Sequence, residues 1–504
     1  MIQTSLVATL TKLPDPSGAE LAALPRCVEW LEVRSDLVGD LNPDWLRNHF
    51  RGRLQYSLRS RAEGGEYADS MSARHGRMAM AARHYDRIEL ESGGDFLPEV
   101  LSKVPVEKRL ISWHGKTNHV SELKLRFNQL SSVPASQYRM VNTAARISDE
   151  LTPLLLLKSL GRTDTIAYST GPLGFWTRLL ALHLGAPAIF GLVPQGSIVE
   201  TEPTINKLIV DYGLPELTPA KVLFAIIGNP VFHSLSPRLH NASYRAMNYP
   251  ALFVPLRVES FDEFWREIVA SNALASLGLQ IAGMTVASPH KEAALLKAKT
   301  ISPMSRQAES TNILVKKNGW WEADTTDPHV IFSGSHERDI QVRHKRAAVI
   351  GCGGAGRAIA AALIQAGAGV TLVNRGAERG NHAADLLGLP YVPLADFVAD
   401  GFDIVVNATP VGRDSDDVPF NVARLSDEAV VIDLVYGSKP TTLVDSSLAG
   451  EHVVIDGRDV LMTQVRRQFR MMTGKEMPTS PALDLMGSRT PVAPVNPCSR
   501  LCPE

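Results

Sequence analysis

Apolar and polar positions alternate in short runs through the first 212 residues. Eight runs, QTSLVAT, CVEWLEVR, LQYSL, RIELE, RLISW, YRMVNTA, TIAYS and AIFGLV, read as strands separated by amphipathic stretches, and INKLIVDYG follows the last. Eight strand–helix repeats within about 210 residues predict a small (β/α)8 barrel, with a doubly wound open sheet as the alternative. GLPELTPAK reads as a linker. A second α/β pattern opens at VLFAIIGNP and runs to about Gly334. After the polar stretch SGSHERDIQVRHK, a third unit begins with AAVIGCGGAGRAIAAALIQAG, and a helix-like stretch, VLMTQVRRQFRMMTG, follows it. The expected units are a barrel at 1–212, a second domain at 221–336 that includes a C-terminal helix at 457–475, and a third domain at 337–456. The Pro- and Ser-rich tail at 479–504 is expected to be disordered.

Composition narrows this picture. The 504 residues are 44% apolar and 21% charged, with a formal net charge of −1. That is ordinary globular composition, and it gives no global pull toward nucleic acid or a membrane surface. No stretch approaches the 18 apolar residues of a membrane span, and the N-terminus lacks a basic segment followed by an apolar core. Cys27, Cys352, Cys498 and Cys502 are sparse and unpatterned, so a reduced cytoplasmic protein without a metal site is expected.

AAVIGCGGAGRAIAAAL is an apolar strand, a glycine turn and an Ala-rich helix in succession. Gly351 permits the tight turn. Gly353, Gly354 and Ala355 bring the backbone toward a pyrophosphate at the helix N-terminus, and Gly356 takes the third glycine position. The next strand, GVTLVNRGAER, ends in Asn374 and Arg375, with Arg379 close behind. A dinucleotide site for NAD carries an acid there, which would repel a 2′-phosphate, whereas a guanidinium grips it. NADP is therefore the expected cofactor.

Several fragments then occur in an order that resembles shikimate dehydrogenase over roughly 255 residues. GNPVFHSLSPRLHN resembles that family's substrate loop, which implies that Ser234 and Ser236 hold a substrate carboxylate. GMTVASPHK resembles its G-x-N-V-T-x-P-x-K motif and puts Lys291 at the catalytic lysine. Thr285 and Ala287 stand where the motif has Asn and Thr, and Ala287 removes a hydroxyl that the family uses on substrate. ESTNILVKKNGWWEADTTDPHV resembles the family's hairpin and N-T-D turn, with Asn312 on the substrate and Asp327 as the catalytic aspartate. FDIVVNATPVG matches the N-A-T loop that lines the nicotinamide pocket, through Asn407 and Thr409. VVIDLVYGSKPTTL places Tyr436 near the substrate, and the last helix places Gln464 on a substrate hydroxyl. An ammonium beside a ketone can polarise it and pass a proton as the alcohol forms.

In a barrel, function gathers at the C-terminal ends of the strands. Glu32, Arg34, Arg59, Glu63, His114 and Arg139 are expected there, an anion-binding set with an acid/base. The set resembles type I 3-dehydroquinate dehydratase. LEVRSD carries its E-x-R (Glu32, Arg34), LRSRAEGGE its R-S-x-x-E-G-G-E (Arg59, Glu63), and ISWHGK its acid/base histidine (His114). The resemblance implies carboxylate and hydroxyl contacts from Arg178 and Ser197. One feature departs from it: the sixth strand, YRMVNTAA, has no lysine, and Arg139 takes the place of the imine-forming residue. A guanidinium is never free to act as the amine nucleophile. Lys116, just beyond His114, is the nearest substitute.

The leading expectation is an NADP-dependent shikimate dehydrogenase that reduces 3-dehydroshikimate, fused to a dehydratase-like barrel of doubtful activity toward 3-dehydroquinate. A fully bifunctional enzyme and an NADP-binding sensor or interaction protein are the alternatives. Lys291 with Asp327 speaks against the sensor, and Arg139 against the bifunctional enzyme.

Overall fold

In a computed structural model, the chain is described over residues 2–171, 174–195, 202–334, 340–437 and 439–478. Ser197 and the tail at 479–504 lie outside the described residues. Eight parallel strands follow one another around the N-terminal unit: β1 Ser5–Leu10, β2 Val28–Arg34, β3 Arg53–Ser57, β4 Arg87–Glu91, β5 Arg109–Gly115, β6 Gln137–Thr143, β7 Thr165–Thr170 and β8 Ala188–Leu192. Each pairs with its sequence neighbour from β1 to β7, and β1 also pairs with β8. Pairing of the first strand with the last curls the sheet into a nearly closed barrel, with β7 and β8 at its two ends, in place of the doubly wound alternative. Helix α1 Phe175–His183 spans β7 to β8, and α2 Ile205–Tyr212 follows β8.

The second sheet is mixed. Its order is β10–β9–β11–β13–β14–β12, from β9 Val222–Gly228, β10 Ala251–Arg257, β11 Ile281–Val286, β12 Thr300–Ile301, β13 Ile313–Lys317 and β14 Trp320–Asp324. Helix α3 Ser236–Ala246 follows β9, and the short α4 Lys291–Leu295 follows β11. The third sheet is all parallel, in the order β17–β16–β15–β18–β19–β20, from β15 Arg346–Ile350, β16 Gly369–Asn374, β17 Tyr391–Pro393, β18 Ile404–Asn407, β19 Val430–Asp433 and β20 Val453–Ile455. That is the doubly wound dinucleotide-binding order, whose crevice opens beyond the carboxyl ends of the central strands. Helix α5 Gly354–Gln365 leaves β15. The last helix, α6 Gly457–Thr473, returns to bury Val465, Phe469 and Met472 in the core of the second sheet.

The barrel and the second sheet share one continuous apolar core. Phe175 of α1 packs edge-on against Phe232 at 5.3 Å between ring centroids. Asp211 of α2, fully buried, accepts from Lys207 at 2.8 Å and from Arg238 of α3 at 2.7 Å. Among the described residues no helix is long and apolar enough to cross a membrane.

Candidate active sites

Lys291 opens α4 directly after β11, and Asp327 follows β14, so the antiparallel turn through β13 and β14 brings the two side chains together. Lys291 Nζ donates to Asp327 Oδ2 at 2.5 Å. The other carboxylate oxygen, Oδ1, accepts from Asn312 Nδ2 and from Gln464 Nε2 of α6, both at 2.9 Å. Three elements therefore fix one carboxylate. Behind them, Gln468, one helical turn after Gln464, donates to Thr326 Oγ1 at 3.0 Å and accepts from Thr285 Oγ1 at 3.2 Å. The hydroxyl of Thr285 thus works in this supporting layer. Thr326 and Gln468 are two members of the network that sequence patterns did not single out; the i, i+4 spacing of Gln464 and Gln468 on one helix face was the available signal.

Ser234 and Ser236 are both buried, and Ser236 N donates to Ser234 Oγ at 3.2 Å. Ser234 and Tyr436 line a cavity of about 130 Å3 with Ala287, His233 and Arg413. Burial raises the Tyr436 phenol above its ordinary range, while hydrogen bonding to Ser234 and the nearby Arg413 charge act the other way. The bottom of this cavity comes from the second sheet. Arg413 and Tyr436 come from the third.

The glycine turn after β15 is sterically specified. Gly351 has φ +105° and a Cβ there would press on the Ala408 carbonyl, while a Cβ at Gly356 would collide with the Gly351 carbonyl. Gly353 opens onto free space, and a Cβ on Gly354 would meet Ser310 and the Lys291 side chain. The turn therefore faces the lysine, and the N-terminus of the 12-residue helix α5 that it opens, with Ala355 in its first turn, offers free N–H groups there. Asn374 closes the crevice from β16: its Oδ1 accepts from Cys352 N at 3.1 Å and its Nδ2 donates to Gly376 O at 2.8 Å. Arg375 and Arg379 are exposed just beyond. Asn407 holds the next loop, accepting from Thr409 Oγ1 at 2.6 Å and donating to Asp433 Oδ1 at 2.9 Å. A glycine turn, a helix N-terminus and two exposed guanidiniums suit a dinucleotide with a 2′-phosphate. Arg357 bridges the two domains, with Nη2 2.6 Å from Glu292, the neighbour of Lys291.

Inside the barrel, charges of both signs are packed together. Arg139 Nη1 donates to Glu32 Oε1 at 2.8 Å and Nη2 to the Tyr168 hydroxyl at 2.8 Å, with the guanidinium 3.7 Å over the Phe190 ring. Arg139 is the third residue of β6, in the first half of the strand; the expectation of a position at its C-terminal end is corrected. Glu32 also accepts from Thr9, Gln55 and Ser57. Arg59 lies 3.9 Å from Glu32 and 3.5 Å from Glu89. Burial opposes ionisation of Glu89, yet the Arg59 and Arg139 charges hold its carboxyl down at about 2. Glu89 escaped the sequence patterns because RIELE alternates like a half-exposed strand, whereas in a closed barrel the charged positions face inward.

His114 Nδ1 lies 3.1 Å from Glu63 Oε2. Burial, with repulsion from Glu91 and Glu89, pushes Glu63 up to about 9, while burial and the Arg59, Arg139 and Arg34 charges hold His114 well below its usual value. Arg34 is held by Asp36 through two bonds of 2.8 and 2.7 Å. Arg178 Nη2 donates to Glu202 Oε1 at 2.9 Å. Lys116 is exposed, as are Lys12, Lys103, Lys124 and Lys158. Lys108 bonds the Ala82 and Tyr85 carbonyls, and Lys207 pairs with Asp211. These seven are all the lysines of the first 212 residues, and none joins the network around Arg139.

Two clusters are thus laid out in one chain, a histidine–glutamate pair in a parallel barrel and a lysine–aspartate pair facing a glycine-turn crevice. Comparison with known proteins divides the chain in the same way. Residues 20–208 match the profile described as type I 3-dehydroquinase, residues 226–314 that of the shikimate dehydrogenase substrate binding domain, and residues 346–437 that of NADP oxidoreductase coenzyme F420-dependent. The shikimate dehydrogenase (NADP(+)) of Xylella fastidiosa strain 9a5c is 34% identical over 277 residues, 53% of this chain and 95% of its own. The chloroplastic bifunctional 3-dehydroquinate dehydratase/shikimate dehydrogenase of Arabidopsis thaliana is 25% identical over 484 residues, 89% of this chain and 78% of its own. The structure of shikimate 5-dehydrogenase from Thermus thermophilus with NADP(H) and shikimate has 27% identity and a TM-score of 0.47, covering 52% of this chain and 98% of that one. The chain belongs to the shikimate dehydrogenase family, with a type I 3-dehydroquinase domain fused ahead of it.

Proposed function

We propose that the C-terminal half is an NADP-dependent shikimate dehydrogenase that interconverts 3-dehydroshikimate and shikimate, and that the fused barrel has lost the imine chemistry of a type I dehydratase. The observation that carries the first part is the Lys291–Asp327 pair at 2.5 Å, with Asn312 and Gln464 on the same carboxylate. Bound NADPH would supply the hydride that adds to the ketone carbon. Lys291 meets the developing alkoxide with its positive charge and delivers the proton that completes the alcohol. Asp327 keeps that ammonium oriented, and proton uptake from solvent restores the proton it gives up. Asn312 and Gln464 have a second role as donors and acceptors for ring hydroxyls, while Ser234, Ser236 and Tyr436 take the ring carboxylate. Gly351, Gly353, Gly354 and Ala355 hold the pyrophosphate, Arg375 and Arg379 the 2′-phosphate, and Asn407 with Thr409 shapes the nicotinamide side.

The barrel keeps a His114–Glu63 pair at 3.1 Å that is suited to moving a proton. What it lacks is a primary amine, since Arg139 holds the interior position and the barrel lysines lie elsewhere. Its arginines still suit an anionic ring acid, although Arg178 already faces Glu202, which a bound carboxylate would have to displace. Purified full-length protein should oxidise shikimate with NADP+ and leave 3-dehydroquinate largely undehydrated. No turnover of shikimate would contradict the first part, and dehydration at a rate comparable to shikimate oxidation would contradict the second.

A further inference from the structure

The cavity of about 130 Å3 at Ser234 has an uneven wall. Ser234 and Tyr436 bring hydroxyls to it, and Ala287, four residues before Lys291, brings only a methyl group. Arg413 brings a full positive charge, and it reaches the cavity from the other domain. Its backbone is placed by a tightly bonded loop that leaves β18. Asn407 Nδ2 donates to Val411 O at 3.3 Å, Val411 N donates to Thr409 Oγ1 at 3.2 Å, and Arg413 N donates to Pro410 O at 3.2 Å. Gly412 turns with φ +89°, a conformation that L side chains rarely adopt, and the turn delivers the next residue to the cavity.

A carboxylate entering this half-enclosed space loses water and needs strong donors in return. Neutral hydroxyls meet part of that need, while a guanidinium meets it with paired charge-assisted hydrogen bonds. We propose that Arg413 is a substrate-specificity residue that grips the ring carboxylate from the nucleotide-domain side and supplies the donor that Ala287 lacks. This rests on the dehydrogenase reading above. It adds a consequence of its own: recognition of substrate depends on charge more than on the hydroxyls of the second domain alone, and the grip forms only when the loop at 407–413 faces Ser234.

Calorimetric titration of the full-length protein with shikimate and with its uncharged methyl ester tests the proposal without relying on turnover. Arg413→Met should weaken shikimate binding by about 10–100-fold, the range for a charged hydrogen-bonding contact. It should change affinity for the methyl ester, and for NADP+, by less than about threefold. Arg413→Lys should recover part of the loss. Adding Ala287→Thr to Arg413→Met should also recover part of it, because a hydroxyl returns to the same cavity; a general structural defect would not be rescued from position 287. Equal losses for acid and ester, or a loss confined to NADP+, would overturn the proposal. Charge-dependent shikimate binding without turnover would contradict the dehydrogenase reading alone. Turnover with no effect at Arg413 would contradict this inference alone, and failure of shikimate to bind would contradict both.

Discussion

Arg139 and Glu32, 107 residues apart in sequence, meet at 2.8 Å inside the barrel, and both are withdrawn from solvent. On the proposed reading, Arg139 takes the position that resemblance to the type I dehydratases gives to the imine-forming lysine. The arginine donates to Glu32 and to the Tyr168 hydroxyl and lies over the face of Phe190. This side chain is part of the barrel's internal frame.

Borohydride trapping reads that difference directly. Reduction in the presence of 3-dehydroquinate should leave no mass adduct on the full-length protein, because no lysine reaches the interior to form an imine. A stoichiometric adduct mapped to Lys116 or another barrel lysine would sink the assignment.

Removing Arg139 should cost stability. Arg139→Ala leaves Glu32 buried with one cation fewer, and breaking a buried ion pair on one side typically costs about 3–5 kcal/mol. Chemical denaturation followed by a barrel-specific signal should show a loss of this size. A loss below about 1 kcal/mol would mean that the network is more hydrated than its burial indicates.

Arg375 follows Asn374, the last residue of β16, and is exposed. Arg375→Ala should weaken NADP+ by about 10–100-fold through loss of a charge-assisted contact, while affinity for NAD+ stays within a few-fold. Equal weakening of the two cofactors in a binding titration would put the 2′-phosphate elsewhere.

His240 predicts a pH dependence of stability. It is fully buried, its ring stacks 4.1 Å from Phe253, and burial lowers its pKa from 6.5 to about 3. The unfolded chain therefore binds a proton between these values that the folded chain refuses. The contribution is complete above about pH 6.5 and is lost as pH falls toward about 3, by up to about 1.4 kcal/mol per pH unit. His240→Phe keeps the stacked ring and removes the proton site, so its stability should fall less steeply over this window. Parallel slopes for variant and wild type would show that the imidazole is solvated.

Much of the architecture was legible in the sequence because the barrel strands are short apolar runs cut by amphipathic helices. QTSLVAT and CVEWLEVR became β1 and β2 within one or two residues. Charged positions inside the barrel were harder to read. The alternation of Arg87, Glu89 and Glu91 in β4 has the period of a strand with one wet face, and only closure of the sheet turns that face inward. Arg139 was misplaced along its strand for a related reason, since an apolar run does not reveal where it crosses the barrel axis. The Lys291–Asp327 network draws on motifs more than 100 residues apart, so the part played by Gln468 and Thr326 showed only when the last helix packed against the β13–β14 hairpin. Arg413 sits in a loop, GRDSDD, that reads as a solvated charge run until the two domains face one another across Ser234.

The most direct test of the account is the initial rate of NADPH oxidation with 3-dehydroshikimate, measured on full-length protein and on Lys291→Ala. The wild type should turn over, and the variant should lose about 10²–10⁴-fold in kcat, the usual contribution of general acid–base assistance, while its affinity for NADPH stays near normal. A variant that turns over like the wild type would contradict the assignment of Lys291, and with it the reading of the Lys291–Asp327 pair as the reacting centre.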